Sequence, residues 1–248
     1  MSDPGLEAAL FGENPARDAR FTVANVHAET ANFPPGDPRR AIEFLHRQMN
    51  EEINGLEISA RNLADFPDAP WELRMAMARQ CSDEARHVAM FRRCFQDRGG
   101  RVGEYPVLNF QYRIITRIDS LIGRLAVQNR SFEAAGIDAI QQEIFSPSRE
   151  SGETDLAELF DAQLADEVQH VRYANMWIPR LKDRAGPRAL LDLARAVAIA
   201  HEALRVVAGE AATVFPVAED LRREAGFTDA EIDAARALIA ELGAAATR

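Results

Sequence analysis

The spacing of apolar residues predicts that this chain is all-α, with long amphipathic helices. From Arg40 onward, apolar side chains recur every three or four positions, which is the period of one helical face. This first helix is predicted to end at 66–70, a segment that contains two prolines. A second helix is predicted to begin there, with Asp68 as its N-terminal cap and Pro70 in its first turn. Its end is predicted at Gly99, because glycine commonly follows the last turn of a helix.

The same periodicity predicts further helices in the rest of the chain. The third begins near Ile118 and ends at the Ser-Pro-Ser sequence of 146–148. The fourth is predicted to follow Thr154, whose hydroxyl can cap a helix. A fifth helix is predicted over about 188–214, and a last short helix is predicted after Thr228, a second capping threonine.

In each of the four long helices, an acidic residue interrupts the apolar stripe at one level. An unpaired carboxylate on a core-facing stripe costs several kcal/mol, so these acids require a partner. The predicted core-facing residues are Ile42, Leu45, Met49, Glu52, Leu56, Ala60 and Leu63; Leu73, Met77, Gln80, Glu84, His87, Phe91 and Phe95; Ile118, Ile122, Leu125, Asn129, Glu133, Gly136, Ile140 and Ile144; and Leu156, Phe160, Leu164, Glu167, His170, Val171, Ala174 and Ile178.

One pentapeptide pattern occurs twice, as Asp83-Glu84-Ala85-Arg86-His87 and as Asp166-Glu167-Val168-Gln169-His170. A Glu and a His three residues apart lie one turn apart on the same face of a helix. A carboxylate and an imidazole on one face make half of a metal site. Two such half-sites, with one Glu from each of two other helices, form the ligand set of di-iron and di-manganese helical bundles.

The two partner acids can be selected by their distance from the turns. Glu84 lies 14 residues after its turn and Glu52 lies 15 residues before it, while Glu167 and Glu133 both lie 13 residues from theirs. Residues of two antiparallel helices lie at the same depth when these distances agree to within about one turn, so Glu52 and Glu133 are predicted to complete the site. Other acids fail by helical face or by distance from the turn; these are Glu51, Glu57 and Glu143.

The long helices are predicted to form two hairpins joined by a crossover of about 18 residues, long enough to run the length of a bundle. This is the ferritin-like topology. Three parts are therefore predicted: an extended N-terminal arm over 1–39, with a short helix near 6–10, a four-helix bundle over 40–182, and additional C-terminal helices over 183–248.

The chain resembles the ferritin-like superfamily over roughly residues 40–180, and resembles more closely a bacterial ferritin-like family whose members mostly lack an assigned function. Oxygen-activating relatives in this superfamily include soluble methane monooxygenase and the small subunit of ribonucleotide reductase. The resemblance rests on Asn50-Glu51-Glu52-Ile53, Phe66-Pro67-Asp68-Ala69-Pro70, Asp83 to His87, Glu133-Ala134-Ala135-Gly136-Ile137-Asp138 and Asp166 to His170.

The resemblance implies roles for eight residues. Two iron ions would be held by six of them, with Glu84 and Glu167 as the bridges between the ions. Asp83 and Asp166 would each accept a hydrogen bond from a ligand imidazole and so fix its tautomer. The implied ligands are Glu52, Glu84 and His87 for one ion and Glu133, Glu167 and His170 for the other.

The composition of the chain indicates which classes of protein this site can belong to. With 248 residues, 47% of them hydrophobic, the chain can bury a full core. The formal charge of −10 disfavours a nucleic-acid surface. The only cysteines, Cys81 and Cys94, have neither redox-pair nor zinc spacing and are interpreted as reduced core thiols. No signal peptide or membrane-spanning run is visible, so a cytoplasmic location is expected.

An oxygen-dependent di-iron oxidase or oxygenase acting on a small organic molecule is the leading functional hypothesis. Ligation by carboxylates with only two imidazoles favours iron or manganese, or a mixed pair, over zinc and copper. The expected partners are the substrate, O2, an electron donor and, in one oligomeric state that the sequence allows, a second copy of the chain. Alternatives are iron storage, ferroxidase or peroxide scavenging as in ferritins and rubrerythrins, and a tRNA-modifying hydroxylase.

Four further polar residues have weaker interpretations. His201 lies in an apolar segment and is interpreted as a hydrogen-bonded core histidine rather than a third ligand set. Tyr173 lies one turn after His170 and is interpreted as a packed tyrosine, with a redox-active phenol as the alternative. Glu57 and Asp138 either support the metal ligands or belong to other polar networks.

Overall fold

The computed structural model of the chain describes residues 17–34, 36–142, 153–208 and 215–246. These residues are predominantly helical, so the predicted all-α class is confirmed. The predicted helix near 6–10 lies outside the described residues. The division into an arm, a bundle and a C-terminal extension stays a prediction.

Nine α-helices are described within these ranges. A π-helical segment is formed by Gln128–Glu133, and a 3-10 turn is formed by His27–Glu29. Two short strands are β1, Val23–Ala24, and β2, Val107–Leu108. The helices are α1 Pro38–Asp65, α2 Trp71–Asp97, α3 Phe110–Ile115, α4 Leu121–Val127, α5 Ala134–Ile140, α6 Thr154–Ala185, α7 Pro187–Ala208, α8 Glu219–Glu224 and α9 Asp229–Ala246.

The chain divides into two compact units between Asp119 and Ser120. The first unit contains α1 to α3, both strands and the part of α7 from Ala198 onward. The second unit contains α4 to α6, the preceding part of α7, α8 and α9. Among the described residues, no helix combines the length and the apolar character that a membrane crossing requires.

The first unit is built on an antiparallel pair, α1 and α2. The Cys81 thiol lies 3.8 Å from the Leu56 carbonyl, and nearer the turn Arg74 donates to the Leu63 carbonyl at 3.1 Å. The predicted face of α2 is confirmed, because the seven predicted residues are the seven that this helix buries. Cys81 and Cys94 form no disulfide with each other, and both are half-buried.

The predicted face of α1 is only partly correct. Ala60 is exposed, and Ile42, Leu56 and Leu63 are only half-buried. The helix instead buries polar residues on a second side, because the N-terminal arm and the connection after α2 pack there. These residues include His46, Asn50 and Asn54.

The arm and the connection meet in a parallel strand pair, in which Val23 lies opposite Val107 and Ala24 opposite Leu108. The amide of Asn50 on α1 donates to the Leu108 carbonyl at 2.8 Å. These bonds satisfy backbone groups that the short strands would otherwise bury without partners. The predicted extended arm and the connection therefore pair with each other, which the sequence pattern did not indicate.

His46 also fixes the N-terminal arm and the connection after α2 in place. Its Nε2 atom accepts a hydrogen bond from the Gly103 amide at 2.9 Å. Its ring packs against the rings of Phe21, Phe95 and Tyr105, with centroids 5.4 to 5.9 Å apart. Burial lowers the pKa of His46 below its ordinary value, and the charge of Glu104 opposes part of that shift. The neutral ring thus holds the arm and the connection against α1.

In the second unit, α6 packs against α4, the π segment and α5. The predicted stripe before the 146–148 turn is buried as far as Ile140 except at Gly136, which is half-buried. Ile144 lies outside the described residues. On α6, Trp177 is buried where Ile178 was predicted. The π segment is the main departure from the predicted uniform helix.

Two predicted helix caps are wrong and one is confirmed. The cap of α2 is Pro70 and that of α6 is Glu153; neither makes a side-chain capping bond. Thr228 does cap α9: its hydroxyl accepts from the Glu231 amide at 3.3 Å, while the Thr228 amide donates to the Glu231 carboxylate at 2.9 Å.

The neutral state of His46 leads to a pH prediction. Because folding lowers its pKa, the unfolded chain binds more protons than the folded one below about pH 6.5. The stability associated with His46 is therefore present at neutral pH and lost as the pH falls through this range. Urea titrations of the metal-free protein at pH 7.5, 6.5 and 5.5 measure the free energy of unfolding. As the pH falls, this free energy should decrease more for wild type than for His46→Gln. An equal decrease in the two proteins would contradict the prediction.

Candidate metal centre

The first candidate ligand set lies in the first unit and consists of Glu52 on α1 and Glu84 and His87 on α2. All three side chains are buried, and each offers a ligand atom within 4.8 Å of the others. His87 Nδ1 lies 3.0 Å from Glu52 Oε2 and 3.4 Å from Glu84 Oε2. Two carboxylates therefore converge on one imidazole nitrogen. We call these residues the first triad.

Local helix geometry explains this placement. The three-residue spacing puts Glu84 and His87 on the buried face of α2, and the antiparallel contact with α1 brings Glu52 opposite them. None of the three residues is more than 6% exposed, so they do not form an ion pair on the protein surface. The prediction that Glu52 matches the depth of the motif agrees with the observed contact.

Two neighbouring residues hold the Glu84 carboxylate in position, and the sequence pattern indicated this role for neither of them. Gln80, one turn earlier on α2, donates from Nε2 to Glu84 Oε1 at 2.9 Å. On α1, Gly55 faces the same oxygen, since a Cβ atom placed there would lie 2.8 Å from it. A contact this short is not tolerated, so only glycine leaves space for the carboxylate in its observed position. A glycine in the interior of a helix was the available signal.

The second candidate ligand set lies in the second unit and consists of Glu133, Glu167 and His170. Glu133 ends the π segment, while the other two lie on α6. All three are buried, with ligand atoms within 4.8 Å of one another. His170 Nδ1 lies 3.4 Å from Glu167 Oε2, the same separation as between the motif residues of the first triad. We call these residues the second triad.

The π segment positions Glu133. Asn129 Nδ2 donates to Glu133 Oε2 at 2.8 Å, and Gln128 Nε2 lies 3.4 Å from Oε1. In a π turn the backbone bonds run five residues back, so side chains four and five positions earlier both lie one turn below. Asn129 also donates to the Tyr173 hydroxyl at 3.2 Å. Tyr173 is thus a buried, hydrogen-bonded tyrosine joined to Glu133 through one amide.

The donor chemistry of both triads fits a cation. Each triad buries two carboxylates beside one imidazole, and carboxylates so close together repel one another unless a positive charge neutralises them. In each motif the ring nitrogen nearest the carboxylates is Nδ1, so it and the carboxylate oxygens can bind one ion. Oxygen-rich ligation with one imidazole suits iron or manganese.

The two aspartates that precede the motif glutamates are both half-buried. Asp83 lies 3.5 Å from the guanidinium groups of Arg79 and Arg86 on its own helix. Asp166 lies on α6, one residue before Glu167. Their predicted role as acceptors for the ligand imidazoles stays a prediction.

The remaining acids lie elsewhere. Glu51 pairs with Arg47 at 3.4 Å on the half-exposed side of α1, and Glu57 pairs with Arg17 at 2.5 Å. Asp138 accepts hydrogen bonds from the C-terminal part of the chain, as described below. Glu143 lies outside the described residues.

The interpretation of His201 as a core histidine is wrong. The residue is exposed on α7. The apolar character of this segment comes mainly from alanines, whose small side chains do not enforce burial, and Ala198 beside it is exposed as well.

A family profile described as "Protein of unknown function (DUF455)" matches residues 4–233 of the chain. The matched range includes both triads and α8. No curated protein and no solved structure matches the chain.

The space at Gly55 leads to a prediction with opposite effects on stability and on metal binding. In Gly55→Ala, the new methyl group must displace the mobile end of Glu84, while alanine stabilises a helix by roughly 0.5–1 kcal/mol relative to glycine. Metal-free Gly55→Ala should therefore unfold no more easily than wild type, yet bind ferrous iron about tenfold more weakly. Calorimetry and anaerobic iron titration measure the two effects.

Gly136 provides the matched control, because it also lies three residues after a triad glutamate but has nothing within 4 Å of its added Cβ. Gly136→Ala should keep wild-type iron affinity. Equal iron affinity in the two alanine variants would show that Gly55 does not make room for Glu84.

Proposed function

Since the chain belongs to the DUF455 family, whose description states no function, we propose a function from its own residues: a di-iron carboxylate oxidase or oxygenase. In this proposal it uses O2 to oxidise or hydroxylate a small organic substrate. The observation that carries the proposal is the pair of buried triads, in each of which the ligand atoms of two carboxylates and one imidazole lie within 4.8 Å of one another.

The proposal combines the two triads in one centre of two ions. Its support is the repeated motif and the distances of the partner glutamates from their turns, which agree to within one residue in each pair, together with the resemblance to ferritin-like proteins. Under this proposal α1, α2, the run from α4 to α5, and α6 form a ferritin-like bundle around the ions. The first triad would hold one ion and the second triad the other, with Glu84 and Glu167 reaching both.

A carboxylate-held pair of ferrous ions, when bound, supplies electrons to O2 and so the oxidising power for a C–H or N–H bond. The residues of the chain hold and orient the ligands: Gln80 and Asn129 donate to Glu84 and Glu133, and burial excludes water from all six ligands. Hydroxylation by O2 consumes two electrons beyond those of the substrate, so an external electron donor is part of the proposal.

Oxygen consumption by iron-loaded protein tests this function. Wild type loaded anaerobically with ferrous iron should bind about two ions per chain and consume O2 in the presence of ascorbate. Glu52→Gln should bind iron at least about tenfold more weakly and lose oxygen consumption, because a neutral amide replaces a ligand carboxylate. Metal analysis and an oxygen electrode measure both.

Glu51→Gln is the matched control, since Glu51 is the adjacent acid but pairs with Arg47 on the half-exposed side of α1. It should behave as wild type. Ferrous wild type that leaves O2 unconsumed would overturn the oxidase proposal. Iron uptake far beyond two ions per chain, in particles much larger than a dimer, would instead identify iron storage.

A further inference from the structure

Neighbouring side chains of the π segment contact two different parts of the second unit. Asn129 contacts Glu133 of the second triad, whereas the next residue, Arg130, binds the C-terminal part of the second unit. We propose that the C-terminal segment, residues 218–232, holds the π segment in register through Arg130, and that Arg130 is thereby a positioning residue for Glu133. The inference rests on the proposed function where it concerns metal binding.

Arg130 makes three contacts at once. Its Nη1 atom donates to Asn175 Oδ1 on α6 at 2.6 Å, and Nη2 donates to Glu231 on α9. The guanidinium carbon lies 4.7 Å from the centre of the Phe227 ring. A planar guanidinium that is bound on two edges and one face has little freedom left. The π segment is therefore fixed to α6 and to the C-terminal segment together.

The C-terminal segment presents these partners in a prearranged form. Glu231 is held by Thr228 in the cap of α9, and its other carboxylate oxygen receives Arg130. Asn175 in turn donates to the Ala225 carbonyl at 2.9 Å, beside Gly226, whose φ of 90° makes the turn into Phe227. The side chains that bind Arg130 are therefore already ordered by their own hydrogen bonds.

A second anchor lies on the other side of Glu133. Asp138 on α5 accepts from Arg222 Nη2 at 2.5 Å and from the Ala218 amide at 2.8 Å. The Arg222 guanidinium also lies 5.1 Å from the Phe227 ring, so two arginines contact the same aromatic ring. The C-terminal segment thus binds the helix three residues before Glu133 and five residues after it.

A π segment needs such support because it is a rare arrangement that differs from an α-helix by its hydrogen-bond register. Relaxation to the α register would rotate Glu133 by about 100° relative to α4, the angle of one residue in a helix of 3.6 residues per turn. The carboxylate would then leave Glu167 and His170. Contacts that favour the π register therefore favour the second triad.

Arg130→Gln tests the inference, with Arg236→Gln as the matched control. Arg236 binds Glu219 and Asp233 inside the C-terminal segment and α9, so its loss removes surface ion pairs without touching the π segment. Ferrous iron is titrated anaerobically into each protein, and amide hydrogen exchange of 128–133 is followed in the metal-free state. Arg130→Lys, which keeps the charge but loses the planar fork, is measured alongside.

Arg130→Gln should bind one ion per chain with wild-type affinity and the other about tenfold more weakly, with faster exchange over 128–133. Arg236→Gln should match wild type in both, and Arg130→Lys should fall between. Normal iron binding in Arg130→Gln would overturn the positioning role, and unchanged exchange would overturn the control of register. If wild type binds no iron, the proposed function fails, and the exchange measurement alone decides whether the C-terminal segment holds the π segment.

Discussion

Carboxylates held close together in the protein interior set the main constraint on this structure. Each triad removes two from water, and an unneutralised ion in the interior costs several kcal/mol. The amide donors Gln80 and Asn129 orient the carboxylates at 2.8 to 2.9 Å but carry no charge, so they fix geometry while leaving the negative charge for a cation. Neighbouring features, from the missing side chain at Gly55 to the π segment, can be understood as ways of keeping these acids in place.

The long helix α1 shows how this constraint affects packing. A helix that presents Glu52 to α2 on one side could expose its other side, yet α1 buries His46, Asn50 and Asn54 there. The arm and the connection after α2 cover these residues and use them as hydrogen-bond partners, with Asn50 binding the Leu108 carbonyl and His46 the Gly103 amide. Polar groups in this layer fix which backbone segment lies where, which purely apolar packing would leave less specific.

Periodicity predicted the structure best where a helix has a single buried face. The face of α2 was correct at all seven positions, including both motif ligands, because one stripe alone meets the core. On α1 the same reasoning placed Ala60 inside, whereas the neighbouring Ser59 is buried and Ala60 is exposed. It also missed the second buried side, since a sequence does not reveal that distant segments will cover a helix. The prediction for His201 was wrong for a related reason, because an alanine-rich helix has an apolar sequence whether or not it is buried.

The π segment could not be predicted, because Asn129 and Glu133 are spaced as on an ordinary α-helix and the irregularity depends on contacts 45 and 101 residues away in sequence. This difference separates two triads whose motifs look equivalent. The first triad is positioned by regular helices and by a glycine that admits Glu84, so its geometry is specified within α1 and α2. The second requires a helix distortion, and distortions persist where surrounding contacts over-determine them. The repeated motif therefore explains which residues form the triads, whereas the C-terminal segment accounts for the asymmetry in how these residues are held.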